Sequence, residues 1–186
     1  ANYLHTKEKK IAIISSGYKS NVNSPVQINH LSKADDVGDE ALLLQAKTNS
    51  VVVSSNNRVK STKYLEDRDF EYIIHDDGLQ HYRMHRDVEV AIVDVDRGFG
   101  NGLMLPAGPL REPISRLKTV DFVVLNCKSG NQPNLADSQE SYSVSIEPDG
   151  LRKFGSDIVI GISEWSLSKQ VHAVPGIGHP ERFAET

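Results

Sequence analysis

Two adjacent carboxylates, Asp76 and Asp77, close a short β-prone run of Phe70, Tyr72, Ile73 and Ile74 and are followed at once by Gly78. In a parallel α/β sheet, ligands bind outside the carboxyl ends of strands. Paired acids there suit holding a magnesium ion beside a phosphate, or accepting a proton. The same three residues also spell a turn, because Asp and Gly are common turn formers. Their neighbours must decide between the two.

Four further groups could join such chemistry. Asp39 and Glu40 precede Ala41 and three leucines, which reads as a helix start with Asp39 near the N-cap. Capping and a favourable dipole term would account for both acids without any catalysis. Arg58 and Lys60 fall just past the next strand, Val51-Val52-Val53, where a cation either meets phosphate or is merely solvated; Arg58 is the candidate for substrate binding. After the acids, His81-Tyr82-Arg83-Met84-His85-Arg86 is basic and aromatic, fitting an anionic or sugar ligand or an exposed turn. Between Asp96 and Arg116 the glycines of Gly98-Phe99-Gly100-Asn101-Gly102 and the prolines of Leu105–Pro113 form a long stiff loop, and such loops at strand ends commonly carry function. It offers Arg111 and Arg116 as bidentate phosphate donors and Glu112 as an acceptor for a base or an arginine.

The elements that must position these groups are short apolar strands. Ile11–Ile14, Val51–Val53, the run before Asp76, Val88–Val95 and Val120–Asn126 alternate with helical or looped crossovers, including a surface helix over Asn57–Asp67. Val88–Val95 is apolar almost throughout and reads as a central strand. This alternation predicts a three-layer α/β domain with a mostly parallel sheet over residues 1–127. Residues 128–186 read as a polar linker and part of a second, smaller α/β domain. Weak strands are expected at Tyr142–Ile146 and Val159–Ile162, with a strand, glycine turn and helix start over Val171–Phe183.

Composition narrows the classes. A chain of 186 residues, 38% hydrophobic and 25% charged, is long enough for one well-buried domain plus part of another. Its net charge of −4 argues against a general nucleic-acid binder. The single cysteine, Cys127, makes no internal disulfide and suits core packing. No apolar run approaches the ~20 residues of a membrane span, and no leader pattern is visible, so a cytoplasmic protein touching a membrane at its surface is expected. Gly17-Tyr18-Lys19-Ser20 is no Walker A loop, since that needs a glycine, four residues and then Gly-Lys-Ser/Thr. A hydrolase has little support, with neither a Gly-x-Ser-x-Gly elbow nor a metal-spaced His/Cys set.

Six blocks in order resemble the tetraacyldisaccharide 4′-kinases of lipid A biosynthesis: Val37-Gly38-Asp39-Glu40-Ala41, Asp76-Asp77-Gly78-Leu79-Gln80-His81, Arg86-Asp87, Gly98–Gly102, Leu105–Pro113 and Gly176–Phe183. The resemblance implies a P-loop kinase fold at the cytoplasmic face of the inner membrane, bound peripherally. The implied reaction moves the γ-phosphate of ATP, with Mg2+, to the 4′-hydroxyl of an acylated disaccharide 1-phosphate, giving lipid IVA. It implies that Asp39 acts with a distant histidine on the sugar hydroxyl. Asp76 and Asp77 become a Walker B-type pair for metal and transferred phosphoryl, with Asp77 also catalytic. Gln80 and Glu112 are implied on the nucleotide side and Arg111 on the lipid-phosphate side. The family's phosphate loop would precede Ala1 and its histidine would follow Thr186, so the expectation is a portion of a kinase. The competing expectation is a non-catalytic α/β module that keeps only nucleotide or anion binding.

Overall fold

The computed structural model describes residues 1–17, 24–127, 141–147, 150–152, 155, 156, 158–161, 164 and 174. The turn at residues 18–20, the linker at 128–140 and the motif at 171–183 anticipated above lie outside them, apart from Val174. The chain divides into two compact units, Ala1–Glu89 and Val90–Thr186. This division falls ahead of the expected boundary after Cys127.

The first unit holds α1 (Asn2–Thr6), β1 (Ile11–Ser15), β2 (Val26–Gln27), α2 (Ala34–Val37), α3 (Asp39–Thr48), β3 (Val51–Ser54), α4 (Arg58–Glu66) and β4 (Tyr72–His75). Its sheet has the order β2-β3-β1-β4, parallel except for β2, which pairs antiparallel with β3. β1 is buried at all five positions because it lies between two parallel partners and under helices on both sides. The chain leaves β1 for β3 on one side and then crosses to β4 on the other. Right-handed crossovers running in opposite directions place their helices on opposite faces. Ile13 and Val52 accordingly pack with Val37 and Ala41 of α2 and α3, whereas Ala12, Ile14 and Val53 pack with Leu65 of α4. Three layers result, as the alternation of strands and helices predicts.

Two details set the geometry of the sheet's carboxyl edge. Ser54, fully buried at the end of β3, donates its hydroxyl to the Val37 carbonyl at 2.7 Å. That bond ties the α2–α3 junction, and with it Asp39, to the edge where β1, β3 and β4 end. The α4 amino terminus is fixed there too: the Asn57 side chain accepts from the Lys60 amide at 3.1 Å, a cap worth about 1 kcal/mol. α4 was expected as a surface helix, yet it buries Arg58, Ser61 and Leu65.

The second unit contains β5 (Val90–Asp94), β6 (Phe122–Asn126) and β7 (Ser141–Val144), all parallel in the order β5-β6-β7. Among the described residues, the expected central strand thus stands at one end of this sheet. Its burial alternates, with Ala91 and Val93 inside and Ile92 73% exposed. The long loop is held by its own backbone: Leu105 and Leu110 amides donate to the Leu110 and Leu103 carbonyls, and the Asn101 side chain donates to Ala107 O at 2.9 Å. Gly108 sits so close that a β-carbon would lie 2.2 Å from Asn101 Oδ1, so only glycine fits. A 3-10 helix, Ile114–Thr119, leads to β6, whose end places Cys127 in the core. β8 (Leu151–Arg152) and β9 (Val159–Ile160) form a short antiparallel pair.

Candidate functional site

The site in the first unit is assembled by strand ends. The Asp76 amide continues the β1 ladder by donating to Ile14 O at 3.1 Å, after which the backbone turns at Asp77 with φ +53°. This left-handed conformation is costly for most side chains but tolerated by Asp and Asn. Gly78 follows of necessity: a β-carbon there would meet His75 Nδ1 at 2.6 Å. The Asp76-Asp77-Gly78 turn and the paired acids are therefore one feature rather than alternatives.

Arg58, the first residue of α4, is 4% exposed and its Nη1 has no hydrogen-bond partner among the described residues. Burial lowers its pKa, while the charges of Asp76, Asp77 and Glu40 act the other way. A solvated surface cation is ruled out at this position. The guanidinium belongs electrostatically to the acids. Partial burial and the neighbouring Asp77 raise Asp76, with Arg58 pulling it down. Glu40 is raised by desolvation and then by Asp76, Asp77 and Asp39. One carboxylate therefore senses all three of the aspartates singled out from the sequence. Asp39 itself begins α3 behind Gly38, and its Oδ1 accepts from the Glu40 amide at 2.9 Å.

Arg58 also lines an open cleft with Asn57, Gln80, His81 and Arg83. Gln80 and Arg58 thus line one cleft. Arg111 and Glu112 lie in the second unit. Arg111 is exposed on the loop, and Glu112 Oε2 is 3.3 Å from Arg116 Nε, so Glu112 here holds an arginine.

Among the described residues, no three His, Cys, Asp or Glu side chains are gathered to hold a metal unaided. Magnesium asks for less: one or two carboxylates, with waters and substrate phosphates completing the octahedron. Asp76 and Asp77, in surplus of negative charge over Arg58, fit that demand.

His75 is the residue that sequence reasoning passed over. Both ring nitrogens are buried without a hydrogen-bond partner among the described residues, its ring centroid lies 5.3 Å from that of His81, and its pKa falls to about 4 through burial, then Arg58, His81 and Arg86. A depressed histidine contributes stability that is present above its ordinary value of 6.5 and lost as pH falls from 6.5 toward 4. In urea unfolding without nucleotide, His75→Phe, which keeps a ring and cannot titrate, is expected to lose less stability than the parent between pH 7 and 5. Equal losses would contradict it.

A mostly parallel α/β core with helices on both faces has the architecture of a P-loop kinase fold. The tetraacyldisaccharide-1-P 4′-kinase family profile matches residues 1–186. The chain belongs to that family. It is 39% identical over 188 residues to the tetraacyldisaccharide 4′-kinase of Legionella pneumophila (strain Lens), covering 100% of this chain and 55% of that protein. Against the Chromobacterium violaceum protein of the same name, identity is 40%, covering 95% and 52% respectively. A crystal structure of LpxK from Aquifex aeolicus in complex with ATP superposes with a TM-score of 0.64 at 29% identity, covering 76% of this chain and 47% of that one. The chain thus spans about half the length of the curated relatives it matches.

Proposed function

We propose that this chain is the part of a tetraacyldisaccharide 4′-kinase that binds the nucleotide phosphates and activates the sugar, working with ATP and magnesium on an acylated disaccharide 1-phosphate. The observation that carries this reading is that Asp76 and Asp77 follow the end of β4, the buried Arg58 opens α4 just after β3, and the α2–α3 junction before Asp39 is tied to the end of β3 by the Ser54–Val37 bond, all at one edge of a P-loop-type sheet. Family membership supplies the substrate class.

In the proposed reaction the 4′-hydroxyl oxygen attacks the γ-phosphorus, the bond to the β–γ bridging oxygen breaks, and ADP leaves. Asp39 takes the hydroxyl proton, lying at the exposed start of α3 where an incoming sugar can reach it. Asp76 and Asp77 would hold magnesium, which supplies charge neutralisation on the transferred phosphoryl group. Arg58 adds a fixed guanidinium facing the same charge, desolvated in advance so that no reorganisation is needed at the moment of transfer. Gln80, which lines the same cleft as Arg58, would orient nucleotide phosphate. Arg111 and Glu112 are assigned to the lipid phosphate and the nucleotide by resemblance alone. Among the described residues no helix is long and apolar enough to cross a membrane. Peripheral attachment to the cytoplasmic face of the inner membrane is part of the same proposal.

Mg-ATP binding and phosphate transfer by the full-length gene product test this reading. Asp39→Ala is expected to leave Mg-ATP binding within about threefold and to lower kcat by ~100-fold or more, the scale of a lost general base. Absence of any thermal shift with Mg-ATP would favour a non-catalytic α/β module instead.

A further inference from the structure

Arg86 belongs to the Arg86-Asp87 block, to which the mechanism above gives no task. Its Nη1 donates to the carbonyl oxygens of Gly78 at 3.3 Å and Leu79 at 3.4 Å. Its Nε lies 2.7 Å from Glu89 Oε1, with the two side chains 19% and 13% exposed. Its guanidinium carbon stands 5.5 Å from the centre of the Tyr82 ring. The guanidinium is held on three sides, an arrangement that uses its rigid planar fork and that an ammonium cannot reproduce.

The two carbonyls it grips belong to the residues between Asp77 and Gln80. At the same turn, the His75 ring occupies the space that a side chain at Gly78 would need. The turn is thus contacted by both the His75 ring and the Arg86 guanidinium, directly after a residue held at φ +53°. A strained backbone conformation persists only where its surroundings fix it. We propose that Arg86, oriented by Glu89, is a positioning residue that fixes the Asp76–Gln80 turn, so that both aspartates and Gln80 meet the ligand in one preset arrangement. Its catalytic consequence rests on the kinase reading; its structural consequence does not.

Hydrogen–deuterium exchange on the 186-residue chain reads the second directly. Arg86→Ala and Arg86→Lys are both expected to speed exchange of the amides at residues 76–81 by ~10-fold or more, leaving those of β1 and β3 unchanged, as for a local opening. In the full-length gene product, Arg86→Ala should lower kcat by ~10- to 100-fold with KM for ATP within about threefold, as misplacement of catalytic groups does. Millimolar guanidinium should restore part of that loss. If Arg86→Ala does not fold, Glu89→Gln, which frees the Nε anchor, carries the same two readouts. Exchange at 76–81 within about twofold of the parent, or a loosened turn with unaltered kcat, would overturn the proposal. A parent protein that transfers no phosphate would sink the kinase reading, and the exchange result would still decide the role of Arg86.

Discussion

Asp77→Asn is expected to lower phosphate transfer by ~1,000-fold while leaving the folded protein as stable as the parent or slightly more so. The two halves of this expectation have one origin. Asparagine accepts the left-handed backbone at φ +53° about as well as aspartate, so the turn survives. What disappears is a negative charge that raises both Asp76 and Glu40. In the resting protein that charge repels Asp76 and Glu40 and attracts Arg58, two effects that largely offset each other. With a magnesium-bound nucleotide it becomes the attraction on which the reaction depends, so its removal changes the ground state little and disables the loaded one. Transfer assays together with urea unfolding would check both halves. Loss of activity with an equal loss of stability would show that Asp77 is only structural.

Arg58→Met carries the second large effect, with the opposite stability signature. Arg58 is buried with its charge facing Asp76, Asp77 and Glu40, and removing one member of a buried charge cluster leaves the others uncompensated, a loss of about 3–5 kcal/mol when the partners are themselves buried. Here the partners are partly exposed, which places the expected cost toward or below the lower end of that range. Phosphate transfer should fall by ~100-fold, the scale for one preorganised donor to developing charge. The pH profile gives the more specific sign. Arg58 lowers the pKa of Asp76; without it Asp76 retains its proton to higher pH, so the acidic limb of activity should move upward. Arg58→Lys should hold that limb near its parent position while still losing rate, since charge is kept and the planar fork is not. An unmoved limb in Arg58→Met would separate Arg58 from the acids.

Much of the first unit was legible in the sequence because its signals are local. β1, β3 and α4 were placed within one or two residues by apolar runs bounded by polar turns, and the two faces of the sheet follow from crossover handedness. β2 was missed because two residues carry no periodicity, and its pairing with β3 is a tertiary choice. The near-continuous apolar run at residues 88–95 suggested burial on both sides. Hydrophobicity reports that a strand prefers burial, not which neighbours it has, and among the described residues β5 stands at one end of its own sheet.

The acids of the site were legible by type and by their place at strand ends. The setting of Arg58 was not. A basic residue at a helix start is usually solvated, and only the packing of α4 against β1 and β3 shows this one buried. His75, and the contacts of Arg86 though not the residue itself, escaped for a related reason. Each acts through contacts with residues three to eight positions away across a turn whose shape a sequence does not display. A signal was present in hindsight: Gly78 after two acids marks a backbone that must pass close to something, and that something is the His75 ring.

Crystals of the full-length protein grown with Mn2+ and ATP would test the central claim most directly, because manganese substitutes for magnesium and is located by its anomalous scattering. The account predicts a single strong peak within ~2.2 Å of a carboxylate oxygen of Asp76 or Asp77, bridged to nucleotide phosphate, with Asp39 opening on the same crevice. A peak bound to the nucleotide but remote from both aspartates would contradict it.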